Sequence, residues 1–298
     1  MTEIGVIAHS QKTLGGGLSE LRRCLEKNGY SDMPWAEISR SRVAPDRIRE
    51  MVDAGVDRII VWGGDGTVRR CIHAIVNEKM DHVSVGVLPA GTANLLAKNL
   101  RIPNDLASAV QVALFGEPRP LDVGEMNGNC FAVMGGTGFD AMMIKDADEH
   151  KLKERFGRAG YVGATLRNSS VKPIGVSIEI DGRPWFTGEA SCVLTANVGT
   201  ILGGIEAFPS ASPTDGRLEV GVVQARTRRD WARLAARAVT GRAEFSPFVV
   251  TSSCRDMEIV LDESWPWEID GGDQPKAKKY TVRCIPEAIR ICQPDVAS

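Results

Sequence analysis

Short apolar runs alternate with helix-spaced apolar residues along the first part of the chain. Ile4 to Ala8 form one run, and Leu18, Leu21 and Leu25 follow at helical spacing, closed by Gly29. A second helical pattern follows Pro45, with Ile48, Met51 and Val52 on one face and Gly55 at its end. It leads into a strand-like run from Arg58 to Trp62. Val68, Ile72, Ile75 and Val76 then mark a helix, "VSVGVL" a strand, and Leu106, Val110 and Leu114 a helix ended by Gly116. Parallel strands need crossover connections, so this alternation predicts an α/β domain with a parallel sheet covered by helices.

From about Leu121 the pattern shifts to strand-like runs separated by turn signals, such as "VSIEIDGRPWF", "ASCVLTANVG", "GRLEVGVV" and "MEIVL". A second, mainly antiparallel β domain is expected there. It is interrupted by two helical patterns, around Lys151 to Arg167 and Asp230 to Thr240. No internal repeat or low-complexity segment breaks the chain.

Composition narrows the field. With 298 residues, two domains are the natural expectation, and 43% apolar with 25% charged residues is ordinary globular usage. A net charge of -2 gives no overall attraction for nucleic acid, so no nucleic-acid partner is expected and anion recognition must be local. Seven cysteines without a CxxC pair fit reduced, mostly buried thiols in a cytoplasmic protein. "MTEIGVIAHS" lacks a basic region followed by a long apolar run, and no stretch approaches the length of a membrane span, so membrane contact is expected to be peripheral.

Chemistry concentrates in "VWGGDGTVRRC", Val61 to Cys71, where a buried strand runs into glycines and then a helix. At the carboxyl edge of a parallel sheet such a loop turns backbone N–H groups toward a ligand beside the positive end of a helix, and phosphate suits it. Gly63, Gly64 and Gly66 permit close backbone approach, while Thr67 either caps the helix or donates its hydroxyl to an oxyanion. Asp65 fits only if a divalent cation bridges it to phosphate or a substrate donor faces it. Arg69 and Arg70 lie in the first helical turn, where positive charge opposes the helix dipole by typically ~0.3–1 kcal/mol each. A bound polyanion reverses that penalty; otherwise both point to solvent.

One β–α unit later, "VLPAGTANLLAKNL" repeats the arrangement of strand, small-residue loop and helix. The pair GGDGT and PAGTAN resembles the diacylglycerol kinase catalytic family, which includes bacterial lipid kinases and sphingosine kinases and is distantly related to NAD kinases. "RPLDVGEMNG", "GGTGFDA", "GGIEAFPSASPTDGRLEV" and "EIDGGD" follow in the order that the bacterial family leads one to expect. The resemblance implies an N-terminal α/β nucleotide-binding domain, residues 1–121 rejoined by 286–298, and a β-rich lipid-substrate domain, residues 122–285, with the active site in the cleft between them. It implies ATP and Mg²⁺ as cofactors. Gly63 to Thr67 look like the ATP-phosphate loop, and Gly91, Thr92 and Asn94 like a second nucleotide-side loop. Asp122 matches an acidic position near the family's active site. Asp215 matches a magnesium-associated aspartate, with main-chain carbonyls of Ser212 and Arg217 as further ligands, although an Asp-Gly turn is also ordinary hairpin chemistry.

The chain departs from the family in its candidate base. Members usually carry Asp-Gly-Glu or Asp-Gly-Asp, the third residue being the acid/base; here the letters are Asp270, Gly271, Gly272, Asp273. If the turn holds one extra residue, Asp273 reaches the vacated place, with Asp270 as second candidate. The alternative is a hairpin with solvated carboxylates in a protein that has lost or weakened catalysis. The early Asn-Pro-x-Ser-Gly stretch is replaced by "AHSQKTLGGG", in which Ser10 and Gln11 remain able to bond phosphate or ribose. Leu95 stands where many members have aspartate.

The segment "ARTRRDWARLAARAVTGRAEFSPF" places Trp231, Leu234, Ala235 and Ala238 on one helical face and Arg229, Arg233 and Arg237 on another. Either the Arg226–Arg237 helix rests on an anionic membrane, at the inner face of the cell membrane, or Trp231 packs into the β domain beneath solvated arginines. The reading reached is an ATP- and Mg²⁺-dependent kinase of a lipid hydroxyl, diacylglycerol or similar, acting at a membrane surface, with a dimer as the candidate assembly. Kinases of sphingoid bases or of a soluble nucleotide, and a noncatalytic nucleotide-binding regulator, are the alternatives.

Overall fold

The computed structural model describes residues 2–138, 173–201, 205–239 and 246–295. The helical pattern around Lys151 to Arg167 lies outside them. The chain divides into two compact units, Met1–Val123 with Pro286–Ser298, and Gly124–Ile285.

The first unit carries four parallel strands in the order β2-β1-β3-β4: β1 is Ile4–His9, β2 Trp35–Ile38, β3 Arg58–Gly63 and β4 Ser84–Pro89. Every residue of β1, β3 and β4 is buried, which is why these stretches read as unbroken apolar runs. Helix α1, Leu18–Lys27, and helix α5, Leu106–Phe115, share a core with the Ile4, Val6, Ala8, Ile60 and Trp62 side chains. Helix α2, Ala44–Asp53, packs against helix α3, Asp65–Asn77. A β carbon at Gly5 would come 2.9 Å from the Met51 sulfur, which places α2 on the sheet face opposite α1. Because β1 has β2 on one side and β3 on the other, the strand order reverses at β1, and open α/β sheets bind ligands outside the carboxyl ends of strands at such a point. The β3–α3 loop sits at that edge.

One short element of this unit carries no hydrophobic period, and the helix expected after the second small-residue loop is a single turn. Strand β2 is four residues long, half-exposed at the edge of the sheet, and too short to show a period. Helix α4, Leu95–Asn99, is a single turn that the loop before it holds in place.

Among the described residues the strand pairs of the second unit are antiparallel. Strands β5, Glu117–Met126, and β6, Asn129–Phe131, form a hairpin beyond Gly124, followed by β7, Met134–Thr137. Next come β8, Ile174–Ile180, β9, Arg183–Ala190, β10, Cys192–Ala196, and the short pair β11, Thr200–Ile201, and β12, Ile205–Glu206. Strand β13, Leu218–Val223, helix α6, Arg228–Val239, and strands β14, Val249–Cys254, β15, Asp256–Ile269, and β16, Gly272–Gln293, complete it. The pairing order is β14-β13-β10-β7-β15-β16, with β8 on the other part of β15 and β9 beyond it. Val193, Val220, Val222, Trp267, Ile269, Tyr280 and Val282 line its core. The far end of β16 belongs to the first unit, where Arg290 and Ile291 pair in parallel with Ser84 and Val85 of β4.

Candidate functional site: two glycine loops in the α/β unit and the aspartates of the β unit

The GGDGT loop is built from beneath. Trp62, the last bulky residue of β3, is fully buried and donates its indole N–H to the Lys12 carbonyl at 3.1 Å, tying the chain after β1 under the loop. Gly63 then lies against the Thr67 side chain: a β carbon there would stand 2.6 Å from Thr67 Cβ. Thr67 is thus buried packing, and Gly64, the residue preceding α3, offers no side-chain cap. Thr67 and Val68 return their N–H groups to the Gly64 carbonyl at 2.9 and 3.1 Å, so the helix begins at once. A β carbon on Gly66 would meet nothing within 4 Å, so this glycine faces open space. An uncapped helix start with an open glycine in its first turn suits an anion by both geometry and dipole.

The second loop touches the first backbone to backbone. A β carbon on Gly91 would come 2.4 Å from Gly64 Cα and 2.7 Å from Asn94 Oδ1, so only glycine fits. Asn94 adopts a left-handed conformation, φ 48°, and its side chain holds the turn closed. Its Oδ1 accepts the Gly91 N–H at 2.9 Å, and its Nδ2 donates to the Pro89 and Gly91 carbonyls at 2.8 Å each. Asn94, expected to face the nucleotide, has its donors and acceptor engaged in shaping the loop; Thr92 is exposed.

Asp65 joins the two loops. Its Oδ1 accepts the Leu96 N–H at 3.3 Å, at the start of α4. Burial pushes its carboxyl pKa up, only partly offset by the N–H groups of Leu96 and Leu95 and by the Lys98 charge. Arg69 is 6% exposed, which corrects its reading as a solvated side chain: it sits within the unit. Ser10 is exposed, with its hydroxyl on the Ile38 carbonyl at 3.3 Å. Burial holds the pKa of His9 below its ordinary value, with Lys12 adding to the effect. Sequence reading missed Glu20, whose carboxylate accepts the Gly16 N–H. Its position three residues after Gly17, the residue preceding α1, is the signal, since a carboxylate there reaches back over a helix start.

Asp122 and Asp270 are bonded to the backbone. Asp122, 1% exposed, accepts the Glu287 N–H at 2.8 Å, fastening the returning chain to the first unit. Asp270 accepts three backbone N–H groups, from Ala132 at 2.8 Å, Val133 at 3.0 Å and Met134 at 2.9 Å. That corrects its reading as a second candidate base, because both oxygens already hold the β6–β7 connection. The register settles the turn. Ile269 pairs with Gly272 and Glu268 with Asp273, leaving Asp270 and Gly271, φ 45° and 74°, as a two-residue turn of the kind that joins β hairpins. There is no extra residue. Gly272 occupies the place directly after the turn, and Asp273 is exposed on the opposite strand face, since side chains alternate. The expectation that Asp273 reaches the vacated place is corrected on that ground.

Asp215 sits in an exposed turn, its Oδ1 accepting the Arg217 N–H at 3.0 Å, with the Ser212 and Thr214 hydroxyls 3.1 Å apart nearby in sequence. The Arg217 guanidinium reaches the Ser253 hydroxyl and carbonyl, both at 3.0 Å, and Asp181 at 3.3 Å. These oxygen donors suit magnesium in kind. Among the described residues no three His, Cys, Asp or Glu side chains converge, so a cation at Asp215 would depend on main-chain carbonyls.

Two abutting glycine loops at the carboxyl edge of a parallel sheet make an arrangement suited to a phosphate-bearing ligand. The "Diacylglycerol kinase catalytic domain" profile matches residues 7–126, and the "YegS C-terminal NAD kinase beta sandwich-like domain" profile matches residues 133–293. The chain belongs to this diacylglycerol kinase family. It is 28% identical over 257 residues to a "Diacylglycerol kinase" of Bacillus subtilis (strain 168), covering 85% of this chain and 83% of that one. It is 28% identical over 248 residues to a "Probable lipid kinase YegS-like" of Klebsiella pneumoniae (strain 342), covering 83% and 81%. Its fold matches that of a diacylglycerol kinase from Bacillus anthracis str. Sterne, TM-score 0.80 at 20% identity, over 98% of this chain and 97% of that one. An NAD kinase from Archaeoglobus fulgidus in complex with ATP shares the fold more distantly, TM-score 0.51 at 10% identity, over 98% and 94%.

Proposed function

We propose that the protein is a lipid kinase that moves the γ-phosphate of ATP onto the hydroxyl of diacylglycerol or a closely similar lipid, with Asp65 accepting the hydroxyl proton. The carrying observation is the state of the carboxylates. Asp270 and Asp122 are bonded to backbone N–H groups, Asp273 is solvated on the wrong strand face, and Asp65 stands on the phosphate loop with its pKa raised by burial. A raised carboxyl pKa brings a base nearer to the pH at which it works. The amides around Gly64 and Gly66 would cradle the polyphosphate, and Arg70, half-buried in the next turn, adds positive charge. Asp215 with its turn carbonyls would hold magnesium, and a bound cation supplies charge neutralisation in phosphoryl transfer. The β unit would receive the lipid.

The test is transfer of labelled phosphate from ATP, with magnesium, onto diacylglycerol in mixed micelles. Wild type transferring, and Asp65→Asn falling by orders of magnitude while still binding ATP, supports the reading. Wild type that binds ATP but labels a sphingoid base or a soluble nucleotide instead overturns the acceptor. Binding without transfer to any acceptor favours the noncatalytic alternative.

A further inference from the structure

Helix α6 carries a row of arginines over a face already anchored. Trp231 and Leu234 are buried, 1% and 7% exposed, so the apolar stripe of this helix is used within the protein. Arg228, Arg229, Arg233 and Arg237 are all exposed. Asp230, the helix's acidic residue, turns its carboxylate to the helix start, accepting the N–H groups of Thr227 at 2.9 Å and Arg226 at 3.3 Å, and its charge offsets part of that of Arg233. Arg226, just before the helix, is paired with Glu189 at 2.8 Å. Arg229, Arg233 and Arg237 recur every fourth residue, so three like charges stack along one helix face, an arrangement that disfavours an isolated helix.

We propose that this arginine face of α6 is a docking surface for an anionic phospholipid bilayer, which rests on the lipid-kinase reading because the acceptor resides in a bilayer. The row spans about 12 Å along the axis between Arg229 and Arg237 at the helical rise and winds about 80° around the helix, so the arginines cover one broad side of it that can face a plane of headgroups. With Trp231 and Leu234 buried, the contact is electrostatic and does not insert. Relief of the like-charge row by lipid phosphates adds to the attraction of each arginine for the surface.

The experiment is sedimentation of the full chain with vesicles of phosphatidylcholine alone or mixed with phosphatidylglycerol, for wild type, R229Q/R233Q/R237Q, and R228Q/R229Q/R233Q, which keeps Arg237. Wild type is expected to partition onto the mixed vesicles, each triple variant roughly 100-fold less. Raising salt from about 0.05 to 0.5 M should release wild type, since such contacts are screened. Thermal midpoints of the variants stay within a degree or two or rise, because the side chains are exposed. Transfer to diacylglycerol in neutral micelles is unchanged in both variants, while transfer in mixed vesicles falls. Variants that partition like wild type, wild type indifferent to phosphatidylglycerol, or equal salt-sensitive binding to a DNA duplex overturn the proposal. Lost partition together with no transfer by wild type in micelles would leave the docking face standing and remove the kinase reading.

Discussion

Two Asp-Gly pairs follow buried strands in this chain, Asp65-Gly66 after β3 and Asp270-Gly271 after β15, and they do opposite things. At the first, the chain turns into α3 and the carboxylate meets the Leu96 N–H at a long 3.3 Å, with the Leu95 N–H beside it. At the second, the chain closes a two-residue hairpin and the carboxylate accepts three N–H groups between 2.8 and 3.0 Å. A carboxylate is freer to act on a substrate the less of its acceptor capacity the backbone takes up. The same two letters therefore make a candidate base in one unit and a structural lock in the other, and how closely the backbone N–H groups hold the carboxylate decides which.

The sharpest way to break that comparison is Asp65→Asn. Phosphoryl transfer should fall roughly 10²–10⁴-fold, the range for loss of a positioned base. Stability should hold or rise, because Asn keeps an acceptor for the Leu96 N–H and removes a charge that burial disfavours. The sign of the pH effect follows. A carboxyl with a raised folded pKa binds its proton more tightly folded than unfolded, so its contribution to stability falls as pH rises through that value, and the variant loses this dependence. For wild type, the acid limb of kcat/KM should lie above the ordinary carboxylate range, as rates across pH would show. A limb at or below that range would remove Asp65 as the base.

Asp270→Ala is the converse. It strands three backbone N–H groups in a buried connection, and a loss of about 3 kcal/mol is expected. For a chain this long that lowers the thermal midpoint by roughly 6–12 °C. Unfolding in urea would show it directly. A variant that melts like wild type but transfers no phosphate would mean that Asp270 acts chemically after all.

The loops themselves can be compared by adding one methyl group at each of two glycines. Gly91→Ala forces a β carbon to 2.4 Å from Gly64 Cα, so both loops must move, at about 1–3 kcal/mol. Gly66→Ala meets open space and improves helix propensity, so the fold should be indifferent or slightly more stable. Both should weaken ATP binding, the first by distorting the cradle and the second by occupying it. Calorimetric titration alongside a melting curve separates the two routes. Gly66→Ala with wild-type affinity would place the phosphates elsewhere.

Much of this was legible in the letters. Uninterrupted apolar runs gave β1, β3 and β4 because both faces of a parallel sheet are covered, and the glycine loops marked the edge that binds. The contact between Gly64 and Gly91 was not legible, since it joins two loops through a tertiary approach that no local period records. Asn94 misled for a related reason: a polar residue in a binding loop looks the same in sequence whether it faces a ligand or closes the turn beneath one. The hairpin of "EIDGGD" was decided by register, which depends on the partner strand and on the Asp270 bonds across to Ala132–Met134.

The smallest expected effect is at Asp273. Exposed, opposite Glu268 and on the other face of the strand from Gly272, it should tolerate Asp273→Asn with stability inside about ±0.5 kcal/mol and transfer changed less than about twofold. The same side-by-side assay that contains Asp65→Asn measures it. If Asp273→Asn instead abolished transfer while the protein melted normally, the hairpin would have to open or shift register by one residue during turnover, because only a slip carries Asp273 to the face that Gly272 occupies. Such a slip would pull Asp270 from its three N–H partners, so Asp270→Ala would then impair transfer through the same motion. The two variants together therefore distinguish a fixed turn, in which only Asp65 meets the hydroxyl, from a turn that rearranges to deliver a second carboxylate.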